Sequence, residues 1–258
     1  MTDSARLQSY LRQNAGRWYD TISLPPFTLF FHPTDPLTFF NYAVPDRPIE
    51  GDLGQVCREL RAEFATRNRR VRFEFIHEFA PFLGDALSGR GFAEVSRQQL
   101  MCCTAETVCP VPDVPGLCFD VLHKETSIED ARIFLFTQRC GFDPTHRTPV
   151  TIQEAKRFLG ALDQGHGILA RLDERPVCAG TLATPYDGIT ELSAITTLQP
   201  FRRRGIATAL TAHAVQIAFG QGVQTICLTA EDAHAGRVYE RVGFRPTATM
   251  LAYGEPET

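Results

Sequence analysis

The feature that most constrains this chain is an internal correspondence at a fixed offset of 152 positions. The β-branched stretch VRFEFI (71–76) falls opposite VQTICLTA (223–230), and the helical stretch 79–90 falls opposite the one from 231. Gly91-Phe92 falls opposite Gly243-Phe244, and RQQLMCC opposite the closing TATMLAY strand. Upstream, LTFFNYAVP (37–45) matches ITELSAITT (189–197), and the helix from Leu53 matches the one from Gly205. No gap is needed over about sixty residues, and identity between the halves is low. The shared order of elements predicts a duplicated unit. A length of 258 residues has room for two domains of ordinary size. Between the halves, TAETVCPVPDVPGL places Pro110, Pro112 and Pro115 within six residues. Prolines remove ladder donors and favour extended backbone, so 106–117 reads as a stiff connector between domains at 1–105 and 118–258.

Composition bounds what those domains do. With 43% hydrophobic and 22% charged residues, each half can bury a core. A net charge of −4 argues against a generally basic nucleic-acid binder. No apolar run approaches the length of a membrane span, and the first residues lack the apolar region of a secretory signal. A cytoplasmic protein, with no membrane or nucleic-acid partner, is the expectation. There are eight cysteines, with no C-x-x-C and no histidines at zinc-ligand spacing. These read as reduced thiols in apolar surroundings, with no metal site.

The second half predicts a strand at 118–124, helices capped by Ser127 and Thr151, and a hairpin turning at Asp173-Glu174. A strand at 188–198, a helix from Gly205 to Phe219 and a strand at 223–230 follow. A short helix opened by Asp232 and a last strand complete the order. This is an α/β (α+β) pattern.

The chemistry concentrates in Gln199-Pro-Phe-Arg-Arg-Arg-Gly-Ile-Ala-Thr208, where a strand ends and a helix begins. A helix N-terminus exposes unpaired N–H groups at the positive end of its dipole, which suits phosphate. Gly205 lets a ligand approach the backbone, and Arg202, Arg203 and Arg204 supply charge and bidentate donors. The pattern [QR]-x-x-G-x-[GA] alone arises by chance in roughly one chain in four of this length. Its position between a β-branched strand and an apolar-faced helix is what gives it meaning.

Here the sequence resembles the GNAT superfamily of acyl-CoA-dependent N-acyltransferases. Arg202 through Ala207 matches the family's first signature. The second, a short helix with a tyrosine ahead of Gly-Phe, is matched by Ala235 to Phe244, with Tyr239 in the tyrosine position. The resemblance covers most of 117–258 and, as a degenerate copy, 37–103. It implies a mixed, mostly antiparallel twisted sheet flanked by helices, in two tandem copies. It also implies acetyl-CoA as co-substrate, without a metal, and a small-molecule or peptide amine as acceptor, in a monomer or homodimer. In this family the strand before the cradle splays from its neighbour and pairs with the pantetheine arm. Those roles would fall on Ile195, Thr196 and Thr197, with the pyrophosphate held by Arg203, Arg204, Gly205, Ile206, Ala207 and Thr208. An asparagine often opens the second helix, and Asp232 stands in its place.

Acyl transfer to an amine needs a base to take a proton from the ammonium and an acid to support the leaving thiolate. Tyr239 takes the family's acid position; its phenol keeps its proton at neutral pH. Glu191, eleven residues before Arg202, is the base candidate. Strand alternation places it on one face with Ser193, Ile195 and Thr197. In the first half, Phe39 and Leu87 stand at the counterparts of Glu191 and Tyr239. Glu50-Gly51-Asp52-Leu53 stands where Arg202 to Gly205 would be. Two acids in place of the basic turn repel phosphate, so a single acyl-CoA site, in the second half, is expected. A non-catalytic acyl-CoA binder and a different phosphate-binding α/β module are the competing readings.

Overall fold

The computed structural model describes residues 3–49 and 51–256. In chain order the elements are α1 (Ser4–Trp18), β1 (Asp20–Leu24), β2 (Phe27–Phe31), β3 (Asn41–Pro45), α2 (Gly54–Thr66), β4 (Arg72–Ile76), α3 (Leu83–Ser88) and β5 (Ala93–Thr104). There follow β6 (Leu117–Leu122), α4 (Ile128–Phe142), α5 (Ile152–Leu162), β7 (His166–Leu172), β8 (Arg175–Leu182) and β9 (Ile189–Thr197). The chain closes with α6 (Ile206–Gly220), β10 (Thr225–Ala230), α7 (Ala233–Glu240) and β11 (Arg245–Gly254). The chain is a mixed α/β protein with mostly antiparallel strand pairing and flanking helices.

It divides into two compact units, one running to Leu100 and resuming at Thr247, the other spanning Met101–Pro246. The division therefore runs through β5 and β11. The last strand, which the sequence places with the second half, lies mostly in the first unit.

In the first unit the strand order is β1-β2-β3-β4-β11-β5. β11 runs antiparallel to β4, with Leu251 opposite Phe75 and Tyr253 opposite Phe73. The core is aromatic: Phe27, Phe64, Phe73 and Phe75 are fully buried, and Phe73 meets Phe92 edge-on at 4.9 Å. The aromatic residues favoured in strands also fill this interior.

In the second unit the order is β5-β10-β9-β8-β7-β6, with Met101–Thr104 representing β5. α4 lies on one sheet face, where Gly167 meets Phe134 and Phe158. α6 covers the other face with Ile206, Leu210, Ala214 and Ala218, packed with Cys178, Leu182, Leu192 and Leu228. Ser127 and Thr151 cap α4 and α5 as expected, the latter in a reciprocal box with Glu154. The β7–β8 turn is made by Asp173 and Glu174, both with positive φ, the geometry a two-residue hairpin requires.

The proline-rich segment is not a free connector. Val111 and Val114 pack on the core that α6 covers, and Cys109 N–H donates to Val242 O at 2.9 Å. A Cβ on Gly243 (φ +115°) would sit 2.2 Å from Thr107 O, so only glycine fits beneath this strap.

The 152-residue offset recurs in the fold. α2 and α6 begin at 54 and 206, β3 and β9 end at 45 and 197, and β5 and β11 begin at 93 and 245.

Candidate active site

The site is built where two parallel strands part. β9 pairs with β10 only at Ile189, Thr190 and Glu191, opposite Thr225, Ile226 and Cys227. Beyond Glu191, β9 runs on to Thr197 without β10 beside it. On its other edge β9 stays paired with β8, but the register shifts: Thr181 faces Ser193 while Ala179 faces Thr196. The extra residue is a bulge at Ala194, whose φ is +51°.

The bulge corrects the strand-face assignment. Glu191 and Ser193 lie on the face toward α4, opposite to Leu192, which packs with α6. Past the bulge the alternation flips. Ile195 packs beneath α6 and Thr197 Oγ1 lies 3.3 Å from Cys178 Sγ, both on the other face. Thr196 turns toward α4, so close that a Cβ on Gly141 would come within 2.3 Å of its Oγ1. Thr196 also pairs with Ala179 of β8, so neither its side chain nor its backbone faces the gap. Leu198 N–H donates to Val177 O at 2.9 Å. Period-two alternation then turns the backbone groups of Thr197 and Ile195 to the edge that β10 has left.

A turn at Gln199–Phe201 leads into the arginines. Arg203 and Gly205 have φ of +63° and +79°, and no side chain caps α6. The first internal bond of the helix is Ala209 N–H to Gly205 O. The N–H groups of Ile206, Ala207 and Thr208 therefore lie ahead of the ladder. A Cβ at Gly205 would meet only Val114, at 3.6 Å, so the approach to this terminus is open. This arrangement fits an anionic phosphate.

The three arginines divide in role. Arg203 and Arg204 are exposed, with the Arg204 guanidinium 5.5 Å from the Phe201 ring. Arg202, expected among the phosphate ligands, is instead tied down. Its Nε donates to Thr197 O at 3.0 Å and its Nη2 to Gly141 O at 2.8 Å, clamping the end of β9 to the end of α4.

Tyr239, on α7, packs edge-on to Phe244 at 6.1 Å and against the core under α6. Burial, with Cys178 and Glu231 nearby, pushes its phenol up to about 12. Burial likewise pushes the Cys178 thiol up to about 12 and Cys227 well above its ordinary value. Asp232 caps α7, its Oδ1 accepting from Ala235 N at 2.8 Å, and that bond holds its carboxyl below the usual range. Glu191 is half-buried beside Cys227 of β10.

A residue the sequence reading did not single out, Gln138 of α4, reaches this strand. Its Nε2 donates to Ala194 O at 3.2 Å and approaches Thr181 Oγ1 at 3.5 Å. Nothing local marks it, because the contact spans 56 positions. Among the described residues no group of three or more His, Cys, Asp or Glu could hold a metal ion, and no helix is long and apolar enough to cross a membrane.

A split parallel pair, an uncapped helix terminus and a buried phenol thus come together in one α/β domain. Residues 131–244 match the family model for the Acetyltransferase (GNAT) family. A GCN5-related N-acetyltransferase from Kribbella flavida is similar over 100% of this chain and 97% of its own, at 25% identity and a TM-score of 0.80. A tandem GNAT protein from the clavulanic acid biosynthesis pathway is similar in fold over 90% of this chain and 79% of its own, at 12% identity and a TM-score of 0.63. L-PGS from Bacillus licheniformis is similar in fold over 99% and 93%, at 13% identity and a TM-score of 0.55. No curated protein matches the chain.

Proposed function

We propose that this protein transfers an acetyl group from acetyl-CoA to a primary amine of a small molecule or peptide, directly, within a ternary complex. The parting of β9 from β10 beside the Gly205 terminus carries this reading, since it offers an open strand edge leading to a phosphate cradle. In it, the Ile206–Thr208 N–H groups hold the pyrophosphate, exposed Arg203 and Arg204 add attraction, and Ile195 and Thr197 pair with the pantetheine arm.

Glu191 takes a proton from the ammonium, either itself or through water. The free amine attacks the acyl carbon, the C–S bond breaks, and the electron pair leaves on sulfur. A phenol at about 12 stays protonated across the working range. Against an ordinary thiol near ~8.5, full proton transfer from it costs roughly 5 kcal/mol. Tyr239 therefore acts as a hydrogen-bond donor that stabilises the departing thiolate. Cys178 and Cys227 both hold their protons, so neither supplies the thiolate that a covalent acyl-enzyme would need. That supports direct attack.

The test is acetyl-CoA-dependent thiol release across a panel of amines, amino acids and peptides. An accepted amine should show turnover that Glu191→Gln lowers about 100-fold. No release with any amine, despite acetyl-CoA binding, would favour a non-catalytic acyl-CoA binder.

A further inference from the structure

Ala194 sits in the middle of a strand with φ +51°, a conformation that side chains bearing a Cβ rarely adopt. Something must hold it there. Its carbonyl accepts a side-chain hydrogen bond from Gln138, whose Nε2 donates at 3.2 Å. The amide orientation is settled by chemistry, because the reverse would set its oxygen against the Ala194 carbonyl.

In a trans peptide the C=O and the following N–H point in opposite directions. With the Ala194 carbonyl drawn toward α4, the N–H of Ile195 points away from α4, to the α6 side of the strand. That is the side where Ile195 packs under α6 and where Tyr239 meets the same core. Two donors, a backbone N–H and a phenol, then serve one side of the gap.

We propose that Gln138 is a positioning residue: by anchoring the Ala194 carbonyl, it holds the bulge so that the Ile195 N–H can hydrogen-bond the thioester carbonyl oxygen of acetyl-CoA. This rests on the proposed function. Gln138 touches no reacting atom and acts only through the 194–195 peptide. Arg202 and the close approach of Gly141 fix the same stretch of β9 to α4 one turn further on, so Gln138 works from a rigid support.

The test compares acetyl-CoA with CoA, which lacks the thioester carbonyl. Gln138→Glu keeps the shape and removes the donor. It should weaken acetyl-CoA binding about tenfold, the loss of one hydrogen bond to the acyl oxygen, and leave CoA binding unchanged. Adding Ala194→Gly, which adopts positive φ freely, should restore most of the acetyl-CoA affinity. Equal losses for both ligands, or no loss for either, would overturn the proposal. A second measurement needs no ligand: the Ile195 amide resonance should shift in Gln138→Glu and return toward wild type in the double variant. An unmoved Ile195 amide would overturn the positioning role. If the wild-type chain binds neither acetyl-CoA nor CoA while that resonance behaves as expected, the cofactor reading fails and the positioning geometry stands.

Discussion

Two helix termini, 152 positions apart, show how one arrangement is kept open in one place and closed in another. At α6 the turn residue Arg203 has φ +63°, Gly205 has φ +79°, and no side chain caps the helix. At α2 the counterpart turn residue Gly51 has φ +94°, so the local chain path is alike. There, however, Asp52 Oδ1 accepts from Gly54 N–H at 2.8 Å and pairs with Arg90. The carboxylate occupies the helix terminus as a bound anion would. Leu53, buried with φ −93°, stands where α6 has its open glycine. Glu50, the counterpart of Arg202, lies outside the described residues.

The strands tell the same story. Ala43, counterpart of Ile195, is paired with Phe73 of β4, whereas Ile195 lies four residues beyond Glu191, the last residue of β9 paired with β10. Leu87, at the counterpart of Tyr239, is fully buried, and Phe39, at that of Glu191, is 64% exposed. The first unit has kept the frame and lost the gap, the open terminus and both polar candidates. We propose that the two are copies of one ancestral domain and that only the second binds acyl-CoA.

The sharpest way to break this contrast is Tyr239→Phe. It should lower kcat by about 100-fold or more with little change in KM for acetyl-CoA, because only a transition-state interaction is removed. Leu87→Ala should affect stability and not the ratio of kcat to KM. The wild-type phenol, raised above its ordinary value, remains protonated until about pH 12. Turnover should therefore show no alkaline fall from Tyr239 up to pH ~10. A fall near pH 8 that vanishes in Tyr239→Phe would contradict the assigned environment.

Next in size is Arg202→Ala. Losing two charged hydrogen bonds to Thr197 O and Gly141 O should destabilise the protein by about 1–3 kcal/mol, read by denaturant unfolding. Arg203→Ala should leave stability nearly unchanged and weaken binding most at low salt. The smallest effect belongs to Asp52→Ala. Loss of that cap should cost about 0.5–1 kcal/mol and create no acetyl-CoA site in the first unit.

How much of this was legible follows from the range of the forces involved. The open terminus was readable because a glycine between a strand and a helix is a local signal. The caps Ser127 and Thr151 and the Gly243-Phe244 stop are local in the same sense. The bulge at Ala194 was not, since alanine carries no mark of positive φ and the shift depends on β8 and Gln138. Glu191 was therefore placed on the wrong face relative to Ile195 and Thr197. Arg202 reads as a phosphate ligand until Gly141 O, 61 positions earlier, is brought beside it. The strap reads as a linker because nothing local shows that Cys109 bonds Val242. The helix expected at 79–90 shortens to Leu83–Ser88, because turns over 77–82 take up its start.

The central claim, one open cradle in the whole chain, is tested most directly by calorimetric titration with acetyl-CoA. The account predicts one site per chain, abolished by Gly205→Val, which puts a branched side chain at φ +79° and over the 206–208 N–H groups. Two sites per chain, or undiminished binding in Gly205→Val, would contradict it.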